Sequence, residues 1–313
     1  MIDLYLLFLA KCLTFLMLSL TLFSNKKKTD DQPKIEFINE SLNKLKKATY
    51  KKLKSLPHFK QLGKELNRNK KSINQYEQHL FVLDFEGDIK ATGVTALRAE
   101  IDLILASAKS DDLVLLRLKS GGGTVTGYGL VASQIKRLRE EGLHLTIAID
   151  EIAASGGYLV ASLANEIIAA PFACIGSIGV VYEAPNLNQF LEDKGIAYTQ
   201  VTAGKYKRTL SLLGKNTPEG EKKVKEDIEM THELFQQYIT QYRELNLDDV
   251  ATGETWPASI AHQKGLVDQI CTSDDFINKH LSSHAILKIK TAKTTGFAKL
   301  LKSKASQLLQ MIG

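Results

Sequence analysis

The sequence predicts an α/β fold with a mostly parallel sheet covered by helices. Two short runs, LFVLDF at 80–85 and LVLLRL at 113–118, are continuously apolar, which is typical of strands buried on both faces. The segment between them, TALRAEIDLILASA, has the period of an amphipathic helix. Apolar strands that alternate with helices predict βαβ units and therefore a parallel sheet.

Further elements continue this alternation. They are a helix at 128–142 (YGLVASQIKRLREEG), a strand at 145–150 (LTIAID), a short helix beginning near Ser155, and a strand at 166–171 (EIIAAP). A long helix is predicted for 217–245, because Thr217 followed by acidic residues is typical of a helix N-terminus. Before it, YTQV at 198–201 is predicted to be a strand.

The composition is that of a globular protein with unevenly distributed charge. A hydrophobic fraction of 44% over 313 residues is enough for one large domain or two small ones. Basic residues are concentrated in 26–72 and in 285–313, whereas 73–284 carry an excess of acids. Because a nucleic-acid-binding protein is expected to carry its positive patch on the folded domain, this distribution disfavours nucleic acid as a partner.

The N-terminus predicts a transmembrane anchor within 1–25. LYLLFLAKCLTFLMLSLTLF, at 4–23, is long enough to span a bilayer core and has Lys11 as its one charge. A lysine at the centre of a span costs about 2.5–3.5 kcal/mol, which the leucines and phenylalanines offset. A cleaved signal peptide is the alternative, but Asp3 precedes the apolar run and no A-x-A site follows it.

Two basic segments flank the predicted body. A Lys-rich juxtamembrane stalk is predicted for 26–78, either as a solvated linker or lying against anionic lipid. The tail at 285–313 is basic, and GFAKLLKSKASQLLQMI at 296–312 is predicted to be an amphipathic helix that packs on the body or on the membrane. The lysines at 26–28 favour a cytoplasmic body by the positive-inside rule, although long translocated domains are exempt from it.

The stretch AASGGY at 153–158 places a hydroxyl where a strand ends and a helix begins. The amide of Gly156 is then free at the helix start, and the glycines at 121–123 follow a neighbouring strand. Together these amides have the geometry that an oxyanion hole requires, with Ser155 as nucleophile. The alternative reading is that AASGG is only a tight contact between a helix and a strand.

A nucleophilic serine needs a base. None of the seven histidines has a glycine-rich or strand-end context that suggests catalysis. A desolvated lysine is the other choice, because burial lowers its pKa by several units. TAGKYKRTLSLLG, at 202–214, offers Lys205 and Lys207, and spacing alone does not choose between them.

Five ordered motifs resemble those of the signal peptide peptidase A family of membrane serine peptidases, and particularly its SohB branch. They are LRLKSGGGTVTGYGLVASQIKRLR, IDEIAASGGYLVAS, APFACIGSIGVV, TAGKYKRTLSLLGKNTPEGEKK and ATGETWPASIAHQKGLVD, between about 80 and 272. The resemblance implies a peptidase domain at 79–284 with the ClpP/crotonase-like spiral of ββα units.

The resemblance also implies a Ser-Lys dyad. It assigns the nucleophile to Ser155, the general base to Lys207 and not Lys205, and the orientation of that lysine to Ser177. The oxyanion amides fall on Gly122 and Gly156. The family usually has S-P-G-G where this chain has 120–123 as SGGG, and loss of the proline loosens that loop.

The implied activity is endopeptidase cleavage of membrane-associated peptides, such as signal-peptide remnants, or of misfolded polypeptides. Neither a metal nor a cofactor is expected, and the three cysteines lack metal-ligand spacing. The resemblance implies a homo-oligomer, single-pass in the inner membrane, with a periplasmic catalytic domain. The alternatives are a catalytically weakened scaffold that binds membrane proteins and a crotonase-type acyl-thioester enzyme.

Overall fold

The computed structural model of the chain describes residues 32–53 and 75–291. The predicted anchor at 4–23, the stalk lysines at 26–28 and the tail from 292 onward lie outside these ranges. Within them, no helix is both long enough and apolar enough to cross a bilayer.

Ten strands are found in the described ranges. In chain order they are β1 (Lys34–Phe37), β2 (Gln78–Glu86), β3 (Leu113–Lys119), β4 (His144–Ile149), β5 (Ile152–Ala154), β6 (Glu166–Ala169), β7 (Cys174–Gly176), β8 (Thr255–Pro257), β9 (Gln269–Ile270) and β10 (His284–Lys290).

Nine helices accompany these strands in the same part of the chain. They are α1 (Ile38–Leu53), α2 (Val94–Ser107), α3 (Val125–Glu140), α4 (Gly156–Ala161), α5 (Asn188–Asp193), α6 (Pro218–Thr240), α7 (Leu247–Val250), α8 (Ala258–Gln263) and α9 (Ser273–His280).

A seven-stranded sheet, in the order β1-β10-β2-β3-β4-β6-β9, forms the centre of the fold. All its pairings are parallel except that of β1 with β10. Leu83, Leu116 and Ile147 pair across β2, β3 and β4 and are fully buried. The continuously apolar runs are thus confirmed as strands covered on both faces, and the mixed α/β class is confirmed with them.

A second sheet of three short strands, in the order β5-β7-β8, begins where the first sheet ends. A parallel bridge between Ser120 and Ala153 joins the end of β3 to β5. The Ser120 N–H donates to the Ile152 carbonyl at 2.9 Å, and the Ala154 N–H donates to the Ser120 carbonyl at 3.0 Å. The carboxyl ends of β3, β5 and β7 therefore meet at one place.

The long helix predicted for 217–245 is confirmed as α6, with a different end. Thr217 is its N-cap and accepts a hydrogen bond from the Gly220 N–H, while the helix stops at Thr240. The strand predicted at 198–201 is wrong, because these residues are irregular and exposed, with Val201 91% exposed. Tyr, Thr and Val favour strands only where a neighbouring strand and a packed face receive them.

The central sheet extends beyond both limits predicted for the peptidase domain, 79 and 284. β1 and α1 come from the segment predicted to be a stalk, and β10 comes from the segment predicted to be a tail. Asn39, 6% exposed, fixes α1 to the sheet: its amide donates to the Leu281 and His284 carbonyls, and its oxygen accepts from the Ile286 N–H. Pro33–Lys290 accordingly form one compact unit.

Candidate active site

Three serines each stand directly after a strand at the meeting point of the two sheets. Ser120 follows β3, Ser155 follows β5 and Ser177 follows β7. β5 and β7 are parallel, with Ala154 opposite Gly176, so the serines after them are neighbours. Polar side chains at the carboxyl ends of parallel strands are where α/β proteins commonly bind ligands.

Ser155 has an unusual backbone conformation. Its φ of 52° and ψ of −122° are rare for a residue with a side chain. The conformation is held by a hydrogen bond from the Ser155 N–H to the Gly176 carbonyl at 2.9 Å and by the start of α4, where the Leu159 N–H donates to the Ser155 carbonyl. Strain of this kind costs about 1–3 kcal/mol and clusters at functional sites. The predicted position of Ser155, before a short helix, is confirmed.

Gly156 is required by a close contact rather than by its backbone angles. A Cβ at this position would lie 2.5 Å from Cγ of Tyr128, whose ring is buried beneath it. As the first residue of α4, Gly156 has an N–H without a partner inside the helix. A free amide therefore lies next to the Ser155 hydroxyl.

Gly122 touches the turn that carries Ser155. It has a φ of +89°, and a Cβ there would come within 2.8 Å of the Ser155 Cβ and of the Gly156 nitrogen. Its own N–H, however, donates to Oγ of Ser120 at 3.0 Å. The predicted oxyanion donor is thus close to Ser155, but its hydrogen is engaged elsewhere in this structure.

Gly123, the next residue, is a donor that the sequence analysis did not select. It lines the same cavity as Ser155, and its N–H donates to no described residue. A Cβ at Gly123 would overlap the Ile89 carbonyl oxygen at 2.1 Å, so the loop passes very close to the backbone that follows β2. The run of consecutive glycines was the available signal for an amide donor, but it does not say which N–H points where.

Ser177 also has a left-handed φ, of 51°. Its N–H donates to the Glu254 carbonyl at 2.5 Å, which ties the turn after β7 to the segment before β8. Ser177 is half-buried and faces the same cavity as Ser155. The structure therefore brings together four predicted residues, which are Ser155, Gly156, Ser177 and Gly122.

A cavity of about 530 Å³ lies in front of Ser155. Its walls are formed mainly by small and apolar residues: Gly121, Gly122, Gly123, Ser155, Ser177, Gly179, Val180, Val181, His232, Ala251, Thr252 and Gly253. The volume lies within the range of small-ligand pockets, which is about 300–1,000 Å³. It is sufficient for a few residues of an extended peptide.

Lys207 is not brought to this cavity by its own chain. It is exposed, and its segment lies at the start of α6, where Lys205 forms an ion pair with Glu219 at 2.8 Å. His232, which lines the cavity, is thirteen residues further along α6, or about 20 Å at 1.5 Å per residue. Lys207 is not among the residues that line the cavity.

Lys205 is held in its charged form. The hydrogen bond to Glu219, together with the nearby Tyr206, raises the pKa of Lys205 well above its ordinary value. A lysine with a raised pKa is a poor base, because it is protonated at any working pH. Lys207 forms no ion pair with a described residue, so it is the freer of the two lysines.

His232 is the functional candidate that the sequence analysis missed. It is half-buried on α6 and is the one titratable side chain among the residues lining the cavity. Its Nε2 lies 3.1 Å from the Gln236 side-chain nitrogen. The signal was helical periodicity, because His232, Phe235 and Ile239 recur at the spacing of one inward face.

No group of three or more His, Cys, Asp or Glu side chains in residues 32–53 and 75–291 is arranged to hold a metal ion. Cys174 and Cys271 are both free thiols.

Comparison with known proteins gives consistent matches along most of the chain. The profile of peptidase family S49 matches residues 137–287, and the profile of the N-terminal region of family S49 matches residues 1–135. A protein of Buchnera aphidicola subsp. Acyrthosiphon pisum, described as "Probable protease SohB", is 43% identical over 297 residues, covering 91% of this chain and 88% of that protein.

Two further relatives carry the same description. The protein from Buchnera aphidicola subsp. Schlechtendalia chinensis is 48% identical over 239 residues, which cover 74% of this chain and 78% of the relative. The protein from Haemophilus influenzae is 49% identical over 212 residues, which cover 67% of this chain and 60% of the relative.

Proposed function

Because the chain belongs to peptidase family S49 and is a protease of the SohB type, we propose that it is a serine endopeptidase with Ser155 as nucleophile. The observation that carries the proposal is the strained Ser155, with φ at 52°, facing a cavity walled by glycines. A turn of this kind projects the hydroxyl away from the backbone toward a bound substrate. We further propose that the body is a ClpP/crotonase-like spiral, supported by the second sheet that grows from the end of β3.

The oxyanion hole in this proposal is made from backbone amides. Gly156 supplies one N–H, and the glycine loop supplies the second. Gly122 can be this second donor only if its N–H breaks its hydrogen bond to Ser120. Gly123 can be the donor without such a change, because its N–H has no partner in the described ranges. Such donors stabilise the negative charge of the tetrahedral intermediate and are each worth about 10²–10³ in rate.

Lys207 is the proposed general base, supplied by a neighbouring copy of the chain. Lys207 does not line the cavity of its own chain, which supports a base from a second copy, and the segment that carries it exposes several apolar side chains. On α5 and in the segment between α5 and α6, the apolar side chains Phe190, Ile196, Tyr198, Val201 and Tyr206 are 43–91% exposed. Exposed apolar surface of that extent on a soluble body is typical of a protein contact.

The chemical steps then balance without a metal. Neutral Lys207 takes the proton from the Ser155 hydroxyl as Oγ attacks the peptide carbonyl carbon, while Ser177 accepts a hydrogen bond from the amine and orients it. The C–N bond breaks as the lysine returns the proton to the leaving amine, and an acyl ester on Ser155 remains. Water, deprotonated by the same lysine, attacks the ester and frees the carboxylate.

His232 is a second candidate for the base. One observation favours it: His232 lines the same cavity as Ser155 within a single chain, whereas Lys207 does not. In this version the imidazole accepts the serine proton directly, as in serine hydrolases with a Ser-His pair. Activity that survives in a Lys207→Ala variant and disappears in a His232→Ala variant would select this mechanism.

The proposed location is the inner membrane, with membrane-associated or misfolded peptides as substrates. The exposed lysines of α1 support it, because Lys44, Lys47 and Lys51 recur at i, i+3 and i+7 on one side of the helix, whose first turn is fixed to the body by Asn39. A polybasic face adds about 1 kcal/mol per cation near an anionic surface. We propose a single N-terminal span with the body in the periplasm, which a reporter fused after Gly313 tests.

The deciding experiment compares the full-length protein with its Ser155→Ala variant in detergent. We expect the parent protein to hydrolyse an unstructured peptide and to react with a fluorophosphonate probe, and the variant to do neither. Labelling and hydrolysis that persist in Ser155→Ala would overturn the assignment. An unlabelled, inactive parent that still binds membrane proteins would instead support the scaffold alternative.

A further inference from the structure

A buried chain of hydrogen bonds runs from the glycine loop to the end of β2. The Gly122 N–H donates to Ser120 Oγ at 3.0 Å, Ser120 Oγ is hydrogen-bonded to the Tyr128 hydroxyl, and Tyr128 donates to the Asp88 carbonyl at 3.0 Å. Ser120 is 2% exposed and Tyr128 is 1% exposed. None of the proposed catalytic steps uses either side chain.

The donor and the acceptor of each of these three hydrogen bonds can be assigned. A hydroxyl has one hydrogen to donate, and that of Tyr128 goes to a carbonyl, which only accepts. Ser120 must therefore donate to Tyr128, and it accepts from Gly122. The three bonds point the same way, from the loop toward Asp88, and hydrogen bonds aligned in one direction strengthen each other. Burial raises the pKa of Tyr128, so its hydroxyl stays protonated at any working pH.

The loop at 120–123 needs such a restraint. Three consecutive glycines have more backbone freedom than any other sequence, and ordering them costs correspondingly more entropy. Gly122 must hold a φ of +89° where a Cβ would come within 2.8 Å of Ser155 Cβ, and Gly123 lines the cavity beside it. Without a fixed anchor, the amides of this loop would spread over many orientations.

The surrounding backbone is shaped around the same two side chains. A Cβ at Gly87 would lie 2.4 Å from the Tyr128 hydroxyl and 2.8 Å from Ser120 Oγ, so only glycine leaves room for the chain. A Cβ at Gly156 would strike the Tyr128 ring at 2.5 Å. Tyr128 therefore contacts the backbone of Gly156 directly and reaches the loop at 120–123 through Ser120.

We propose that Tyr128, acting through Ser120, is the positioning residue of the oxyanion hole. Its hydroxyl fixes the orientation of the glycine loop, and its ring supports the Gly156 amide beside Ser155. The inference rests on the proposed serine mechanism and assigns a role to two residues that do not contact the substrate. It also supplies a noncovalent restraint for the loop at 120–123, which has Gly121 at the position where the family usually has proline.

The test is Tyr128→Phe in the full-length protein, with Tyr158→Phe as the matched control. Tyr158 is also fully buried and also donates its hydroxyl to a carbonyl, that of Leu266, but this bond points away from the loop. Tyr128→Phe removes two buried hydrogen bonds of the hydroxyl and Tyr158→Phe removes one, so both variants are expected to lose stability, Tyr128→Phe the more. We expect Tyr128→Phe to lower kcat roughly tenfold or more with little change in KM, less than deletion of a donor outright, and Tyr158→Phe to leave kcat nearly unchanged.

The affinity for a peptide boronate is a measurement that loss of folding stability does not change. The boronate forms a tetrahedral adduct on Ser155 and places an oxygen in the oxyanion hole, so its affinity is expected to fall with kcat in Tyr128→Phe. Peptide binding to Ser155→Ala and to Ser155→Ala/Tyr128→Phe is expected to be equal. Equal loss of boronate affinity in the two tyrosine variants would overturn the inference.

A second experiment tests the same inference by restoring a covalent restraint in the loop at 120–123. Gly121 has no positive φ, and a Cβ there would meet only the Ile152 methyl carbon, at 3.8 Å, so the position has room for the Cβ that Gly121→Pro adds. We expect this substitution to recover several-fold of the kcat lost in Tyr128→Phe, because it narrows the same loop by another route. A rise in kcat for Ser120→Ala would show that Ser120 Oγ competes with the oxyanion for the Gly122 N–H. That result would overturn the positioning role of Tyr128 and Ser120. Activity in Ser155→Ala would instead contradict the serine mechanism, and this result is distinguishable from a failure of the positioning role of Tyr128.

Discussion

Ser155 and Ser177 directly follow Ala154 and Gly176, which are paired residues of two parallel strands, and both serines have a φ close to +50°. Two neighbouring residues with side chains in this rare conformation are costly, because each is strained by about 1–3 kcal/mol. Both face one cavity. The two adjacent strand ends are thus bent in the same way, and each presents a hydroxyl to the space in front of it.

Replacement of Ser155 separates strain from catalysis. We expect Ser155→Ala and Ser155→Gly to be equally inactive, because both lack the nucleophile. Ser155→Gly is expected to be more stable than Ser155→Ala by about 1–3 kcal/mol, since glycine adopts a φ of 52° without strain. Chemical denaturation of the two variants measures the difference. Equal stabilities would mean that the turn is not strained.

Mixing two inactive variants tests whether Lys207 acts in a neighbouring copy. Oligomers formed from Ser155→Ala and Lys207→Ala chains contain sites that combine an intact serine with an intact lysine if the lysine comes from the next subunit. Random mixing in a closed ring is expected to restore about a quarter of the parent activity. The measurement is peptide hydrolysis after co-expression, and each variant alone serves as control. No recovery in a verified mixed oligomer would place the base within the same chain.

His232 is expected to contact the substrate rather than to carry the proton. Removal of the imidazole by His232→Ala should raise KM several-fold with kcat changed less, because a cavity wall is lost while Ser155 is intact. His232→Gln, which keeps hydrogen-bonding capacity, is expected to retain more of the affinity. Steady-state kinetics on both variants is the measurement. A collapse of kcat in both would contradict this prediction and favour the Ser-His alternative.

Acidification is expected to destabilise the corner where α9 meets β10. Burial, and then the neighbouring His280, lower the pKa of His284, which is 7% exposed; His79, Asp111 and Asp112 also face it. A histidine with a lowered folded pKa prefers to be neutral in the folded state. Its contribution to stability is therefore complete above its unfolded pKa and is lost as pH falls below about 6.5.

Thermal unfolding at pH 8 and at pH 5.5 measures this effect. We expect the melting temperature of the parent protein to fall between these values and that of His284→Gln to fall less, because glutamine does not titrate. His144 is exposed at the start of β4 and has no partner of this kind, so His144→Gln is the control and should keep the parent's dependence on pH. An unchanged slope in His284→Gln would contradict the assignment.

The elements that the sequence predicted well are those whose residues fix their environment locally. β2 and β3 are read from unbroken apolar runs, since strands buried on both faces admit few polar residues. The start of α6 is read from Thr217, because its hydroxyl accepts from the Gly220 N–H within the same turn. The position of Ser155 between a strand and a helix follows in the same way from the small residues around it.

The elements that the sequence did not predict form because they pair with residues distant in the chain. β5, β7 and β8 have three residues each, too few for a recognisable period, and exist because they pair with one another. β10 was assigned to the tail, although its residues complete the central sheet beside β2. The strand expected at 198–201 failed for the opposite reason, because no strand lies beside it to pair with.

The sequence by itself determined the family, the α/β class and the candidate nucleophile, because motif order, apolar runs and small residues are properties of contiguous chain. Only the tertiary structure decided that Ser155 and Ser177 share a cavity with His232, that the Gly122 N–H is bound to Ser120, and that Lys207 does not line this cavity. These relations depend on how separate strands and helices pack. Sequence spacing does not encode the direction of an N–H or the distance between two segments once the chain has folded.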